Sequence, residues 1–293
     1  MTGGAPLPPV AVICGGGRLP VEVIAAAIEN GRQVVAIAIK GEADPRVADY
    51  NPTYLGWGQI GKLASLLERE GCRDVVMIGS VTRRPELREI VGDLGTMRRL
   101  PKIIASLAGG DDSILKKIIR LFEDEGFRII GAHEVAPGLL ARPGTIVGRD
   151  PDPDASRDLA LAREAVMALG RLDIGQAAVS VCGRVIAVEG AEGTDAMLER
   201  CRAVRDRGRV KGKGGVLVKC AKPGQDMRVD LPTVGPETVR AAAKAGLSGI
   251  GIEAGRVLIA ERAETEALAK ALSISLWGIE PLERTDQAGE VSR

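Results

Sequence analysis

In the first half of the chain, short β-branched runs alternate with segments of helical periodicity. The predicted strands are Val10 to Cys14, Val34 to Ile39, Val75 to Ile78 and Arg128 to Ile130. The predicted helices between them are Pro20 to Asn30, Ile60 to Glu70 and Asp112 to Glu125. Strands and helices that alternate in this way form a parallel, doubly wound sheet. Residues 1–142 are therefore predicted to be an N-terminal Rossmann-like α/β domain.

The second half of the chain follows a different pattern. Residues 143–156 are rich in proline, glycine and acidic side chains, which predicts a linker. Residues 157–293 combine helical patterns with two predicted hairpins, and indicate a C-terminal mixed α/β domain. The hairpins are Ala177 to Val181 with Arg184 to Val188, and Gly249 to Ile252 with Arg256 to Ile259.

Charge and composition exclude several classes of function. The formal net charge of the 293 residues is only +1, so no overall positive field would hold nucleic acid. Aromatic residues make up 2% of the chain, which leaves little for stacking on bases. The single histidine, His133, rules out multi-histidine zinc sites and disfavours a histidine-dependent catalytic triad.

Cysteine use and the N-terminal sequence predict a cytoplasmic protein. The five cysteines form no C-x-x-C pair and most lie in apolar runs, so we expect reduced thiols. The N-terminus has no basic region before an apolar one, and its prolines disfavour a signal peptide. No segment approaches the ~20 apolar residues that a membrane-spanning helix needs.

A glycine-rich turn, Gly15-Gly16-Gly17-Arg18-Leu19-Pro20, joins the first predicted strand to the first predicted helix. Three interpretations remain open: a tight strand-to-helix turn, a phosphate or nucleotide contact, and a dinucleotide site. The last is disfavoured because Pro20 replaces the third glycine of G-x-G-x-x-G. It is also disfavoured because the second strand ends at Lys40 rather than at an acidic residue.

Two further loops are candidates for contacts with an anion or a metal. The segment 79–85, which contains Ser80 and two arginines, follows the third predicted strand and is either a phosphate clamp or a solvated loop. Asp111 and Asp112 open the next predicted helix. They are either capping residues or ligands of a metal or a hydroxyl group.

The densest polar segment runs from Lys219 to Gly235. It contains two lysines, two aspartates, an arginine and a glutamine, and it is too broken for a regular element. Mixed charge at this density is typical of phosphoester sites, where lysines neutralise oxygens and carboxylates hold water or a divalent ion. A second acidic and glycine-rich turn, Glu189 to Asp195, is explained by capping alone but is also a candidate.

Several of these motifs occur together in the order of a known family. They are Gly15 to Pro20, Gly58-Gln59-Ile60-Gly61-Lys62, Gly110 to Asp112, Gly131 to Glu134, Glu189 to Asp195, and Lys222-Pro223-Gly224-Gln225-Asp226. The set resembles the UDP-2,3-diacylglucosamine pyrophosphatase family of the LpxI type, from about Val10 to Ile279. The resemblance implies hydrolysis of UDP-2,3-diacylglucosamine to 2,3-diacylglucosamine 1-phosphate (lipid X) and UMP, a step of lipid A biosynthesis.

The resemblance also implies a set of site residues and partners. Asp226 would be the catalytic carboxylate, and Lys219, Lys222 and Gln225 would stabilise charge on the phosphoryl group. The implied substrate-binding residues are Gly16, Gly17, Arg18, Ser80, Asp111, Asp112, Thr194, Asp195 and Thr233. Asp226 and Glu189 would bind Mg²⁺ or another divalent cation such as Mn²⁺.

Further expectations follow from a lipid-linked UDP-sugar substrate. They are a substrate chamber between the two domains, peripheral contact with the cytoplasmic face of the inner membrane, and a homodimer. Two rival functions remain open from the residues alone. One is a nucleotide-binding oxidoreductase or transferase, and the other is a carrier of lipid or nucleotide without catalytic activity.

Overall fold

The chain folds into two compact α/β units. The computed structural model describes residues 7–82, 111–210 and 214–281, with only the backbone of residues 111–115. The first unit comprises the described part of residues 1–139 together with Gly224–Leu231 and Ala260–Arg262. The second comprises the described residues of three stretches, Leu140–Pro223, Pro232–Ile259 and Ala263–Arg293. Each unit is therefore assembled from separate stretches of the sequence.

The first unit contains a five-stranded parallel sheet with helices on its faces. Its strands are β1 (Val10–Cys14), β2 (Val34–Ile39), β3 (Thr53–Leu55), β4 (Asp74–Ile78) and β5 (Arg128–Ile129). Its α-helices are α1 (Leu19–Glu29), α2 (Ile60–Arg69), α3 (Asp111–Asp124) and the short α4 (Ala132–Val135). The strand order is β3-β2-β1-β4-β5, and every pairing is parallel. The prediction of a parallel, doubly wound N-terminal sheet is thus confirmed.

The central strand β1 explains why the sequence here is almost uninterrupted in its apolar character. All five of its residues are buried, because β2 and β4 flank it and both faces of the sheet are covered. Val10, Val12 and Cys14 face one apolar cluster with α1, whereas Ala11 and Ile13 face the other with α2. The alternation follows from the two-residue period of a strand.

The loops after β1 and β4 are joined by their backbones. Gly16 N–H donates to Ser80 O over 2.8 Å, and Ser80 N–H donates to Gly16 O over 3.0 Å. The approach requires glycine, since a Cβ on Gly15 would lie 2.5 Å from Ser80 O. A Cβ on Gly79, at φ +104°, would lie 2.8 Å from Gly16 O. This is the point of strand-order reversal, where open α/β sheets usually bind ligands.

The second unit is built on a six-stranded mixed sheet and a separate two-stranded parallel sheet. Its strands are β6 (Gly144–Val147), β7 (Ala177–Val181), β8 (Arg184–Val188), β9 (Val216–Lys219), β10 (Thr233–Val234), β11 (Gly249–Glu253), β12 (Leu258–Ile259) and β13 (Ser275–Ile279). Its helices are α5 (Pro153–Arg171), α6 (Gly193–Asp206), α7 (Pro236–Lys244) and α8 (Arg262–Ala271). The order in the large sheet is β6-β13-β11-β9-β7-β8, with three antiparallel pairings. The prediction of a mixed α/β second half is confirmed.

The hairpin predicted at Cys182-Gly183 forms between β7 and β8. The carboxylate of Asp158 accepts hydrogen bonds from the backbone N–H of Cys182 and Gly183 and from the Ser180 hydroxyl.

The prediction of a second hairpin, between residues 249 and 259, is wrong. β11 pairs in parallel with β9 and β13, and β12 pairs in parallel with β10 instead. Residues 254–257 therefore lead out of the sheet, although their glycine-containing sequence also suits a tight turn.

The segment 143–156, for which a linker role stays a prediction, contains regular structure. β6 pairs antiparallel with β13, and α5 begins at Pro153 behind Asp152, whose side chain accepts a hydrogen bond from Ala155 N–H. The proline and acidic residues that suggested a linker are therefore the N-terminal signals of a helix.

An aspartate ties together the amino ends of strands in the first unit. Asp74, at the start of β4, is 5% exposed and accepts hydrogen bonds from the guanidinium groups of Arg32 and Arg128. Burial raises the pKa of this carboxyl, but the two arginines outweigh it and hold the pKa below its ordinary value. The carboxylate therefore stays ionised although it is buried.

Among the described residues, no helix has both the length and the apolar content that crossing a membrane requires.

Replacing Gly79 by alanine tests whether the joined loops stabilise the first unit. We expect Gly79→Ala to lower the free energy of unfolding by about 2–4 kcal/mol, because it combines a strained φ with a backbone clash. Gly17 is the matched control: its φ is +83° but nothing lies within 4 Å of its Cβ position, so Gly17→Ala should cost about 1 kcal/mol. Urea unfolding followed by circular dichroism measures both, and equal losses would contradict the clash.

Candidate functional site

The residues predicted to form the site are divided between the two units. The first unit contains Gly16, Gly17, Arg18, Ser80, Asp111, Asp112, Gln225 and Asp226. The second contains Glu189, Thr194, Asp195, Lys219, Lys222 and Thr233. The chain passes from the second unit to the first between Pro223 and Gly224, inside the predicted catalytic segment. That segment was expected to belong to the C-terminal domain, but its residues are divided between the two units.

The glycine-rich turn is accounted for by backbone packing. Gly15 and Gly16 approach the loop after β4, and Ser80 is the partner in that approach. Gly17 is exposed, has φ +83°, and lies in open space. The tight strand-to-helix turn is therefore sufficient to explain the first two glycines, whereas a ligand contact by Gly16, Gly17 or Arg18 stays a prediction.

Arg18 belongs to a charge cluster that the sequence did not reveal. Its Nε lies 3.3 Å from a carboxylate oxygen of Glu261, and Glu22 Oε1 accepts a hydrogen bond of 2.7 Å from Glu261 N–H. Glu22 Oε2 is buried and has no hydrogen-bond partner among the described residues. Burial raises the pKa of the Glu22 carboxyl. No local motif marks Glu22, because its partner is far away in the sequence.

The segment Gly224–Leu231 packs on both apolar clusters of the first unit. Val229 packs on the apolar cluster that contains Ile129, and Leu231 packs on the cluster that contains Ile130. The two clusters lie on opposite faces of the sheet, one with α1 and the other with α2, so the segment reaches both faces. We call residues 224–231 the strap.

Asp226 and Arg228 form a bidentate ion pair within the strap. Arg228 Nε donates to Asp226 Oδ1 over 2.9 Å and Nη2 donates to Oδ2 over 2.7 Å. Arg228 N–H also donates to Asp226 Oδ1, which makes an Asx turn. The third contact of the guanidinium is Glu123 Oε1 in α3, at 2.8 Å.

This ion pair sets the protonation state of Asp226. Hydrogen bonds from Arg228 hold the pKa of the Asp226 carboxyl below its ordinary value, and Lys116 acts in the same direction. The carboxylate is half-buried at 19% side-chain exposure and ionised at neutral pH. It can therefore accept a proton or a hydrogen bond from water, and it also has a structural role in the strap.

The neighbours of Asp226 are also tied into the first unit. Gln225 Nε2 donates to Asp230 Oδ2 over 2.6 Å. Met227 O lies 3.1 Å from the position of a Cβ on Gly131, which immediately precedes α4. His133 lies in α4, and its Nδ1 is buried without a hydrogen-bond partner among the described residues. The lone histidine thus lies beside the same glycine as the strap.

In the second unit, Lys219, Thr194 and Glu189 form a buried polar network. Lys219, at the end of β9, donates from Nζ to Thr194 Oγ1 over 2.9 Å. Thr194 donates to Glu189 Oε1 over 2.6 Å, and Glu189 Oε2 accepts from Gln176 N–H over 3.0 Å. All three members of the network are less than 9% exposed.

The network explains how a lysine is tolerated in the core. Burial lowers the pKa of the Lys219 ammonium, while the carboxylates of Glu189 and Asp195 act in the opposite direction. Asp195 is exposed in the first turn of α6. The structure thus brings together Glu189, Thr194, Asp195 and Lys219, four of the residues predicted for the site.

The remaining predicted residues of the second unit lie elsewhere on it. Lys222 Nζ lies 2.5 Å from Asp173 Oδ1, just beyond the end of α5. Thr233 begins β10, where it pairs with Leu258. In the first unit, Asp111 begins α3, and the side chains of Asp111 and Asp112 fall outside the described part of the chain, as do Arg83 and Arg84.

The predicted metal ligands do not fit a resident metal ion. No three Cys, His, Asp or Glu side chains cluster for a metal within the described ranges. Both oxygens of Glu189 accept hydrogen bonds, and a buried ammonium compensates its charge. Asp226 is paired with an arginine. A divalent ion would need further ligands.

Comparison with known proteins gives consistent matches over the length of the chain. Residues 9–139 match the family model described as the LpxI N-terminal domain, and residues 142–277 match the LpxI C-terminal domain. A relative from Caulobacter vibrioides, named UDP-2,3-diacylglucosamine pyrophosphatase LpxI, is 40% identical over 275 residues. The match covers 93% of this chain and 98% of that protein.

Among solved structures, one similar chain is a UDP-glucose-4-epimerase from Stenotrophomonas maltophila with bound NAD and formylated UDP-arabinopyranose. It is 12% identical, with a TM-score of 0.31, and the alignment covers 91% of this chain and 98% of that one. A likeness at this TM-score supports no inference about fold or function.

Replacing Glu189 by alanine tests whether its role is structural. The variant leaves the buried Lys219 ammonium without its principal counter-charge, so we expect a loss of about 3–5 kcal/mol in the free energy of unfolding. Glu192 is the matched control from the same turn, since it is exposed and its ion pair with Arg200 lies at the surface. Glu192→Ala should cost less than about 1 kcal/mol. Similar losses in urea unfolding would contradict the structural role.

Proposed function

Because the chain belongs to the LpxI family, we propose that it hydrolyses the pyrophosphate bond of UDP-2,3-diacylglucosamine, releasing 2,3-diacylglucosamine 1-phosphate and UMP. The observation that carries this proposal is the 40% identity over 93% of the chain to a protein named for that substrate. Such a reaction is a step of lipid A biosynthesis. The ordered motifs from Gly15 to Asp226 support it.

Hydrolysis requires a water molecule to attack one phosphorus while the oxygen that bridges the two phosphorus atoms leaves. We assign Asp226 to the water: the ionised carboxylate accepts a hydrogen bond from it, orients it and takes its proton. The ion pair with Arg228 favours orientation over strong basicity, because it lowers the pKa of the carboxyl. Arg228 therefore fixes the position of the carboxylate that acts.

The developing negative charge on the phosphoryl oxygens requires donors. We assign Lys219, Lys222 and Gln225 to this role. Lys219 is supported by its position in the Thr194–Glu189 network, which fixes an ammonium with further N–H donors at the end of β9. Gly16, Gly17, Arg18, Ser80, Asp111, Asp112, Thr194, Asp195 and Thr233 remain the proposed substrate contacts.

We also propose that a divalent cation takes part when the substrate is bound. When bound, Mg²⁺ or Mn²⁺ would neutralise oxygens of the diphosphate. Since Glu189 is occupied by its own network, the diphosphate of the substrate would have to supply ligands that the described residues lack.

Chelation tests the requirement for a cation. We expect EDTA to reduce UMP release from UDP-2,3-diacylglucosamine by at least about tenfold, with recovery on addition of excess Mg²⁺ or Mn²⁺. Circular dichroism with and without EDTA controls for loss of fold. Turnover that persists in EDTA at the original rate would contradict the requirement.

The two acyl chains also bear on where the enzyme acts. We propose that it works at the cytoplasmic face of the inner membrane through peripheral contact, because such a substrate partitions into a bilayer. A homodimer remains a prediction.

Replacing Asp226 tests the assigned catalytic carboxylate. We expect both Asp226→Asn and Asp226→Ala to lower kcat by about 10²–10⁴-fold, because neither side chain can take a proton from water. Asp226→Asn keeps one acceptor for Arg228 but loses the charge and the second acceptor, so we expect a loss of about 1–3 kcal/mol in the free energy of unfolding, and kcat is compared where the variant is still folded. Asp206→Asn is the control, since Asp206 is an exposed aspartate paired with Arg202. Near-normal UMP release by Asp226→Asn would refute the assignment. No release by the unmodified protein would favour a carrier.

A further inference from the structure

The end of α5 exposes apolar side chains that a folded protein usually covers. Four consecutive residues, Arg171 to Ile174, are all exposed. Leu172 is 72% exposed, the largest value among the exposed large apolar residues of the described chain, and Ile174 is 46% exposed. We call residues 171–174 the α5 tip.

The tip is held by a regular helix-terminating motif. Ile174 N–H donates to Leu169 O and Asp173 N–H donates to Gly170 O, with Asp173 at φ +55°, as in a Schellman motif. These two backbone hydrogen bonds hold residues 172–174 against the last turn of α5, so the backbone positions of Leu172 and Ile174 are fixed relative to the helix.

The end of α8 shows that the exposure is not a property of the motif. There Ile274 N–H donates to Ala269 O and Ser273 N–H donates to Lys270 O, again with a non-glycine residue at positive φ. Yet Ile274, the counterpart of Ile174, is only 2% exposed and packs in the core. The same motif therefore buries its isoleucine in one helix and exposes it in the other.

The α5 tip adjoins the polar network of the second unit. A Cβ on Gly175 would lie 2.2 Å from Glu189 O, and Gln176 N–H donates to the Glu189 carboxylate. Cys220, which follows Lys219, donates from its N–H to Gln176 O. Through this backbone contact, the exposed apolar side chains of the tip are connected to the strand end that carries the proposed phosphate-binding ammonium. Such an arrangement suits an amphiphilic partner with a polar head and an apolar tail.

The charges on the tip favour an anionic surface. Asp173, its one acidic residue, is neutralised by Lys222 at 2.5 Å. Arg171 makes no ion pair with any residue in the described ranges, so the tip together with Lys222 has two positive charges against one negative charge. Basic residues beside exposed apolar side chains are typical of segments that bind the interface of a membrane with anionic lipids.

We propose that the α5 tip inserts Leu172 and Ile174 into the surface of an anionic phospholipid bilayer. Arg171 contacts the headgroups, and the network around Lys219 is held near the surface where a diacyl substrate lies. The biological purpose of this contact rests on the proposed function, but the contact itself is a property of the protein and the bilayer.

Vesicle flotation of the full chain tests the contact. The probes are vesicles of phosphatidylcholine with 30% phosphatidylglycerol, on the order of the anionic content that attracts basic segments, and vesicles of phosphatidylcholine alone. We expect binding to the anionic vesicles, at least about fivefold weaker binding to the neutral ones, and at least a tenfold weaker affinity for Leu172→Asp with Ile174→Asp. Leu272→Asp, at the equivalent position of α8, is the matched control and should bind like the unmodified protein.

The outcomes separate this contact from its rivals. Unchanged binding of the double variant, equal loss in Leu272→Asp, or no binding by the unmodified protein would overturn the proposal. Size-exclusion chromatography tests whether a second copy of the chain binds the α5 tip instead of a bilayer. If the double variant dissociates a dimer while vesicle binding is unchanged, the tip is an interface between copies and the proposal fails.

Activity distinguishes failure of the contact from failure of the proposed function. With substrate in vesicles, the double variant should lose at least tenfold in rate, whereas with detergent-dispersed substrate it should keep the rate of the unmodified protein. Equal loss in both presentations would point to direct binding of the acyl chains and overturn the bilayer contact. If the unmodified protein binds vesicles but hydrolyses nothing, the proposed function fails and the contact remains.

Discussion

The packing of the strap on both apolar clusters is the contact on which the first unit and its proposed catalytic carboxylate depend. Residues 224–231 come late in the sequence, yet Val229 and Leu231 complete the two apolar layers of the first unit. The same segment fixes Asp226 through Arg228 and anchors that pair to Glu123. Apolar burial and a charge-assisted hydrogen bond therefore act together, and the position of the proposed catalytic carboxylate follows from the packing of a sheet to which it is not adjacent in sequence.

Much of the fold is predictable from the sequence because the signals are local. A buried strand such as β1 has an uninterrupted apolar run, and a helix such as α2 ends at a glycine. The error at residues 249–259 shows where local signals fail. Two short strands around a glycine look like a hairpin, but β12 pairs with β10, and partner choice depends on contacts distant in sequence. Residues 143–156 likewise contain β6 and the start of α5, because proline and aspartate begin helices as readily as they interrupt them.

The candidate site was less predictable, because its geometry depends on long-range pairs. Mixed charge drew attention to residues 219–230, but nothing in that pattern shows that Lys222 pairs with Asp173, 49 residues away, or that Arg228 pairs with Glu123, 105 residues away. Glu189 illustrates the opposite case. The sequence shows an acidic residue in a turn, and only the structure reveals that both of its oxygens are occupied. Its hydrogen bonds and burial therefore argue for a structural role where the motif suggested a ligand.

The strap has a consequence for the order in which the chain can fold during synthesis. A ribosome finishes residues 1–139 long before it reaches Leu231, so the nascent first unit lacks part of both apolar clusters while most of the second unit emerges. Apolar surface that stays exposed in an incompletely folded chain favours aggregation. Expression of the N-terminal half as a separate fragment would make that temporary state permanent. The boundary between the halves in sequence is therefore not a boundary between independently folding parts.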